Sequence, residues 1–294
     1  MKNVLITGCS KGIGLECALA FGKAGYKVFA TMRNPANSLL PEQIVNLGAD
    51  ISIAAMDVDS EASVSDTVGM ILAEHGAIDV LVNNAGIERH GSVEEMKISD
   101  FRAIMETNFL GVIRCTQKVL PSMRARRRGV IINVASVAGH ISNSPLGGYA
   151  ASKFALEAIS EALAQEVKPF NIRVAIVEPG IIDTGMARDI SHASPSIYPH
   201  SRRFAGLFAA SLENPVSPAL VADKILEVAL DTSWKLRHPV GPDAVPFLEW
   251  RASLSDEDWI DWNAADDETW YKAVEQDFGL NAINALRKRE KQSQ

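Results

Sequence analysis

The sequence predicts an α/β fold: a doubly wound, parallel, seven-stranded sheet with helices on both faces. Three observations carry that expectation. Short β-branched runs alternate with longer helical patterns along most of the chain. The apolar runs are continuous rather than alternating, as strands buried on both faces require. A glycine-rich turn, Thr7-Gly-Cys-Ser-Lys-Gly-Ile-Gly14, joins the first strand to the first helix. Strand–helix alternation with that burial implies right-handed crossovers within one sheet.

Strands are expected at residues 4–7, 27–31, 51–56, 80–82, 130–134, 173–177 and 236–240. The main helices are expected at 13–24, 63–75, 101–124, 150–167 and 216–230. With 294 residues, 47% of them hydrophobic, the chain can bury a full core, and no repeat or low-complexity linker divides it. Residues 1–242 read as one unit and 243–294 as an extension packed on it. The net charge of −7 argues against a nucleic-acid partner. Three cysteines (Cys9, Cys17, Cys115) without a CxxC pair or metal-ligand spacing suit a reducing cytosol and predict no metal site. No apolar run approaches the ~20 residues of a membrane span, and the opening strand leaves no room for a signal peptide. A cytoplasmic location is the expectation.

In the first turn, glycines at 8, 12 and 14 permit close approach of backbone N–H groups to a pyrophosphate at a helix N-terminus. Ser10, Lys11 and Ile13 lie in the same loop. The spacing is GxxxGxG, not the GxGxxG of the usual dinucleotide turn, and such a turn can also simply connect strand to helix. The second strand leads into Met32 and Arg33, where a site choosing NAD would want a carboxylate for the ribose 2′-hydroxyl. Arg33 and Lys11 without that acid suit a 2′-phosphate, hence NADP(H) over NAD(H); the competing reading is a pair of solvated loop cations. Asp57-Val58 and Asn83-Asn-Ala-Gly86 end the third and fourth strands, at the edge where open α/β sheets bind ligands. A helix N-cap and an ordinary turn are the plainer alternatives. Asn108 is a poor residue for mid-helix and implies either a specific hydrogen bond or a local distortion. The run Arg124-Ala-Arg-Arg-Arg128 reads as a solvated turn complementing a helix C-terminus.

Chemistry concentrates between Ser136 and Lys153. Tyr149 and Lys153 are four apart, so they share one helix face. A free phenol titrates near pH 10; an ammonium one turn away is expected to favour the phenolate and lower that pKa. Ser136 closes a strand and adds a hydroxyl donor. A hydroxyl, a phenol and an ammonium converging on one point can polarise a carbonyl and hand it a proton.

Gly8-xxx-Gly12-x-Gly14, Asn83-Asn-Ala-Gly86, Asn108, Ser136, Tyr149-xxx-Lys153 and Pro179-Gly180, in that order over about residues 2–190, resemble the short-chain dehydrogenase/reductase family in its compact, Rossmann-type form. The resemblance implies that Tyr149 is the general acid/base, that Ser136 holds the substrate oxygen, and that Lys153 serves both the phenol and the nicotinamide ribose. It implies that Asn108 fixes a water in a proton relay and that Asp57 and Val58 contact adenine. Asn84, Ala85 and Gly86 would line the cofactor cleft, while Pro179, Gly180, Ile182 and Thr184 would anchor the nicotinamide. Thr31-Met-Arg-Asn34 also looks like the NADP-preferring steroid and retinol dehydrogenases. Residues 186–218, with prolines at 195, 199, 215 and 218, match the variable substrate lid and are expected to form a long mobile loop. Family habit favours a homodimer or homotetramer.

Four of five tryptophans (Trp250, Trp259, Trp262, Trp270) fall in the acid-rich tail. An appended helix on the sheet edge or the substrate mouth, a dimer contact, and an acidic protein-binding module are the three readings of it. The last basic stretch, 287–291, reads as a frayed, solvated end. The resulting expectation is an NADP(H)-dependent oxidoreductase, a carbonyl reductase type, interconverting a secondary alcohol and a ketone on a moderately large apolar substrate. A non-catalytic NADP-binding regulator on the same fold is the alternative.

Overall fold

The computed structural model describes residues 2–38 and 40–292. Seven strands pair in parallel: β1 (Asn3–Thr7), β2 (Lys27–Met32), β3 (Ile51–Ala55), β4 (Val80–Asn83), β5 (Gly129–Val134), β6 (Ile172–Pro179) and β7 (Arg237–Val240). Their order is β3-β2-β1-β4-β5-β6-β7. The chain therefore winds outward from β1 and then returns to its other side at β4, which leaves a crevice above β1 and β4 where the winding reverses.

Successive residues of a strand face opposite sides, and the core divides accordingly. Val4, Ile6, Val28 and Ala30 pack against α1 (Gly12–Lys23) and α9 (Pro218–Leu230), with Leu40 of α2 (Leu40–Leu47) completing the layer. Leu5, Phe29, Leu81 and Ile131 pack against α3 (Glu61–His75) and α5 (Gly111–Arg126), with Val167 at the end of α6 (Gly147–Val167). Local signals bound these helices. Ser60 Oγ accepts from Ser63 N at the start of α3, and Gly76, at φ 74°, ends it.

The predicted helix at 101–124 is α4 (Ile98–Met105) running through a π turn at Glu106–Leu110 into α5. The basic run after it is exposed at Arg124, Arg127 and Arg128, as a solvated turn requires, and also carries ion pairs. Arg126 and Arg128 both pair with Asp79, at 2.9 and 3.2 Å, and Arg127 takes the left-handed conformation (φ 50°) that closes α5. These bonds fasten the C-terminus of α5 to the start of β4.

Two expectations for the last third are corrected. Residues 186–218 are not a long loop: α7 (Gly185–Ile190) and α8 (His200–Ser211) lie there, and Ser201 to Ala210 are buried apart from Arg202. Pro199 precedes the first turn of α8 and Pro218 opens α9, where a missing N–H is tolerated. The prolines punctuate the segment rather than dissolve it. The basic end is helical rather than frayed, though Arg287, Lys288, Glu290 and Lys291 are exposed as expected. Residues of α13 (Ala282–Gln292) bury Ala285 and Leu286 against α8, and Gly206 is so close that a Cβ there would stand 2.7 Å from the Ala282 carbonyl. The intervening tail forms α10 (Ala244–Ser253), α11 (Asp256–Ala264) and α12 (Asp267–Phe278). Trp259 and Trp262 stack at 6.3 Å, and Trp250 stands edge-on to both. Arg203 of α8 (4% exposed) reaches Asp267 Oδ1 at 2.7 Å and the Asn263 and Ala265 carbonyls, which binds this tail to the segment before it. Phe247, Trp250, Trp262, Trp270 and Phe278 of these helices line the cavity at the crevice.

Candidate active site

One cavity of about 740 Å³ opens at the C-terminal edge of the sheet, within the usual size for small-molecule sites. Every predicted cofactor-contacting position lines it, as do Ser136, Tyr149 and Lys153. Asn108 does not.

The glycine turn is built by close contact. Gly8 (φ +75°) and Gly12 (φ +60°) occupy backbone conformations that side chains disfavour. Asn84, at the end of β4, donates from Nδ2 to the Thr7 carbonyl at 2.8 Å and to the Gly8 carbonyl at 3.2 Å. Thr7 Oγ1 accepts from the Asn84 and Ala85 backbone N–H groups at 3.0 and 2.9 Å. These bonds close the crevice floor across β1 and β4, and Thr7 is a participant that sequence reasoning did not single out. Arg33 and Lys11 are both exposed at the cavity rim. Asp57 accepts from Asp59 N at 3.1 Å, while the helix that follows is capped by Ser60, so the N-cap reading of Asp57 does not hold.

Asn108 sits in the π turn and is 1% exposed. Its amide makes reciprocal bonds with Ile87, donating to the carbonyl at 2.9 Å and accepting from N–H at 2.8 Å. It also donates to Ser152 Oγ at 3.0 Å, which in turn donates to the Tyr149 carbonyl at 2.7 Å. Both readings of a mid-helix Asn, a distortion and a specific bond, are realised together. The side chain ties the β4 loop to the helix bearing Tyr149.

Ser136 Oγ accepts from Ala138 N at 3.1 Å and donates to the Pro179 carbonyl at 3.4 Å. Lys153 is 5% exposed; its ammonium donates to the Val134 carbonyl at 2.8 Å and stands 5.6 Å from the centre of the Tyr149 ring. Burial lowers the Lys153 pKa to about 8, and Glu157 one turn on opposes the fall. The Tyr149 phenol moves opposite to expectation. Burial pushes it up; the Ser136 hydroxyl favours phenolate, and Glu88 disfavours it. The ring keeps a part-exposed edge toward the cavity, which tempers that rise. The i,i+4 spacing put Lys153 on the correct face, but the ammonium is turned to Val134, so desolvation decides the phenol's direction.

Behind Lys153, His140 Nε2 lies 2.8 Å from Glu178 Oε1 and 3.7 Å from Glu157 Oε2, and Arg237 pairs with Glu157 at 3.0 Å. The two carboxylates raise the His140 pKa to about 9, so the cluster is charge-balanced at neutral pH.

The far part of the cavity is walled by Phe204, Leu207 and Phe208 of α8 with Phe247, Trp250, Trp262, Trp270 and Phe278 from the tail. Sequence reading noticed the tryptophans without assigning them to this wall. Glu88, Arg89 and Asn143 also line the cavity and were missed; no local motif marks them.

A nucleotide-sized crevice at the winding reversal, beside a serine, a tyrosine and a lysine, defines an α/β oxidoreductase of the nicotinamide type. The chain belongs to the short-chain dehydrogenase/reductase family: the family model for short chain dehydrogenases matches residues 2–195. It is 36% identical over 248 residues to a 3-ketodihydrosphingosine reductase of Bacteroides thetaiotaomicron, covering 81% of this chain and 87% of that one. It is 40% identical over 188 residues to retinol dehydrogenase 8 of Bos taurus, covering 62% and 60% respectively. Among solved structures, a metagenomic short-chain oxidoreductase in complex with NADP superposes with a TM-score of 0.66 at 27% identity, covering 81% of this chain and 96% of that one.

Proposed function

We propose that this protein is an NADP(H)-dependent carbonyl reductase or alcohol dehydrogenase that interconverts a ketone and a secondary alcohol on a moderately large apolar substrate. The observation that carries the reading is the single cavity joining the glycine turn, Ser136–Tyr149–Lys153 and an aromatic wall. An apolar wall of that kind favours a ligand whose bulk is hydrocarbon. Two relatives, a 3-ketodihydrosphingosine reductase and a retinol dehydrogenase, support the same chemistry and substrate character.

The residues present fit a dinucleotide. Glycines 8 and 14 let the turn close on Ala85, Asn84 and its own Gly8 carbonyl, where Cβ atoms would clash, and the α1 N-terminus lies at this turn, where a pyrophosphate would meet backbone N–H groups. Arg33 and Lys11 would hold a 2′-phosphate, Asp57 and Val58 the adenine, and Asn84 to Gly86 with Pro179 to Thr184 the nicotinamide end. NADPH, when bound, supplies the hydride. Tyr149, kept protonated by burial, is the proton donor to the substrate oxygen, which Ser136 orients. Lys153 holds positive charge beside the ribose site. Asn108 holds the β4 loop and the Tyr149 helix in register.

Two results are expected. Wild-type enzyme prefers NADPH over NADH by at least about tenfold in kcat/KM, and Arg33→Ala removes most of that preference by weakening NADPH alone, as the loss of one charge-assisted bond predicts. NADH preference in wild type would overturn the Arg33 assignment, and no consumption of either cofactor with any ketone would overturn the activity. Second, the Lys153 ammonium is present below its pKa of about 8 and lost above it. The kcat/KM for NADPH in ketone reduction should therefore fall as pH rises through about 8, since that ratio reports the free enzyme. A profile flat well beyond that pH would assign the ammonium no part in binding.

A further inference from the structure

Glu88 is a buried carboxylate in the cavity wall to which the dehydrogenase chemistry gives no role. Its side chain is 6% exposed. Burying a carboxylate there is costly unless its lone pairs are satisfied. The hydrogen bonds it receives come from His90 Nδ1, at 3.1 Å to Oε1 and 3.4 Å to Oε2. Two carboxylate oxygens accept about four bonds, so one imidazole leaves acceptor capacity over. Arg89 does not use it: its Nη1 donates to the Glu88 backbone carbonyl instead, at 2.8 Å.

The placement is specific. Ile87, the residue before Glu88, is bonded to Asn108, and Asn108 bonds through Ser152 to the Tyr149 carbonyl, so the carboxylate belongs to the reacting end of the cavity rather than to the aromatic end. Asn143 lines the same cavity, and its Oδ1 is buried without a hydrogen-bond partner among the described residues. Glu88 keeps acceptor capacity beyond its His90 contact, and the Asn143 oxygen has no donor among the described residues. Nor is Glu88 explained as a mere fastener of the segment between α7 and α8. His90 Nε2 does contact Ser194 Oγ at 3.3 Å, but Glu94 and Glu95 hold that segment without it, Glu94 accepting from the Tyr198 hydroxyl and Glu95 from Ser196 Oγ at 2.7 Å and Ile197 N at 3.0 Å.

We propose that Glu88, assisted by Asn143, is a subsite for a hydrogen-bond donor carried by the substrate next to its reacting carbonyl, an α-hydroxyl or an α-ammonium. The inference rests on the reading of Tyr149 as the group that protonates that carbonyl. The substrate is then amphipathic, with a polar head at Glu88 and Tyr149 and a hydrocarbon body against Phe204, Phe208 and the tryptophans.

The test uses three matched long-chain aliphatic ketones: the plain ketone, its α-hydroxy derivative and its α-ammonium derivative, each followed by NADPH oxidation. Wild type is expected to favour a donor-bearing ketone in kcat/KM by at least about tenfold over the plain one, since unmet buried acceptors penalise the analogue that lacks the donor. Preference for the ammonium alone identifies a cation; preference shared by the hydroxyl identifies a neutral donor. Glu88→Gln should collapse the ammonium preference to within about twofold, and Glu88→Asp should retain part of it. A thermal melt checks that the variants fold, and the wild-type comparison stands without them. Equal rates with all three ketones, or an undiminished preference in a folded Glu88→Gln enzyme, would overturn the subsite while leaving the reductase reading intact. No turnover of any of the three would sink both.

Discussion

Tyr149→Phe should lower kcat for ketone reduction by about 10³-fold while leaving NADPH affinity within about twofold, because general-acid catalysis by one group is worth ~10²–10⁴ in rate. The ring packs at the edge of the cluster formed by Leu146, Phe204, Phe208 and Trp270, and phenylalanine keeps that packing. Tyrosine and phenylalanine also differ little in helix propensity, so α6 should form unchanged. Only the hydroxyl is lost. Nicotinamide absorbance measures turnover, and quenching of protein fluorescence on titration with NADPH measures binding. Retention of more than about a tenth of wild-type kcat would show that another group supplies the proton. Loss of cofactor binding with turnover would make the phenol a structural part of the cleft. The direction of the Tyr149 shift adds a second discriminant. A phenol raised by burial remains protonated across neutral pH, so the falling limb of reduction near the Lys153 pKa should not be accompanied by an earlier one from Tyr149.

The sheet and the crevice were legible because their signals are local. A continuous run such as Val4 to Ile6 states its burial on both faces directly, and Gly8, Gly12 and Gly14 state a turn that side chains would block. The lid and the tail were not legible for the opposite reason. Four prolines between 195 and 218 suggest a loop when only neighbours in sequence are weighed. What orders α8 is contact with residues far along the chain: Arg203 with Asp267, Gly206 with Ala282, and Phe204 and Phe208 with Trp270. The tryptophan wall is likewise a product of α10, α11 and α12 folding over the crevice, and no spacing rule announces it. Glu88 carried no signal because a glutamate in a loop is ordinary until its burial is known. The expected lowering of the Tyr149 pKa failed on the same ground. Spacing places two side chains on one face, but the balance between a neighbouring charge and desolvation depends on where the ammonium points and how much protein encloses the phenol.

Gly14→Ala is expected to cost both cofactor binding and stability, and Gly69→Ala to gain stability, although both replace a helical glycine by the best helix former. The difference lies in what each Cβ would meet. At Gly14 it would stand 2.3 Å from the Gly8 carbonyl oxygen and 2.4 Å from Asn84 Nδ2; at Gly69, on the exposed side of α3, nothing lies within 4 Å. Neither neighbour of Gly14 can yield alone. The Gly8 carbonyl is backbone in a turn already at positive φ, and Asn84 is held by its bonds to Thr7 and Gly8. The added methyl must displace the α1 N-terminus from the β1 turn, which moves the pyrophosphate cradle and loosens the link between β1 and β4. Overpacking of this kind costs about 1–3 kcal/mol, which lowers Tm by roughly 2–4 °C for each kcal/mol in a chain of this size class. The kcat/KM for NADPH should fall at least about 100-fold, because displacement by a fraction of an ångström misaligns every backbone donor in the turn. Gly69→Ala should raise stability by about 0.5–1 kcal/mol through helix propensity and reduced unfolded-state entropy. Thermal melts and NADPH titrations on the two variants separate the effects. A Gly14→Ala enzyme that binds NADPH like wild type would mean that the turn's close contact does not shape the cofactor cleft.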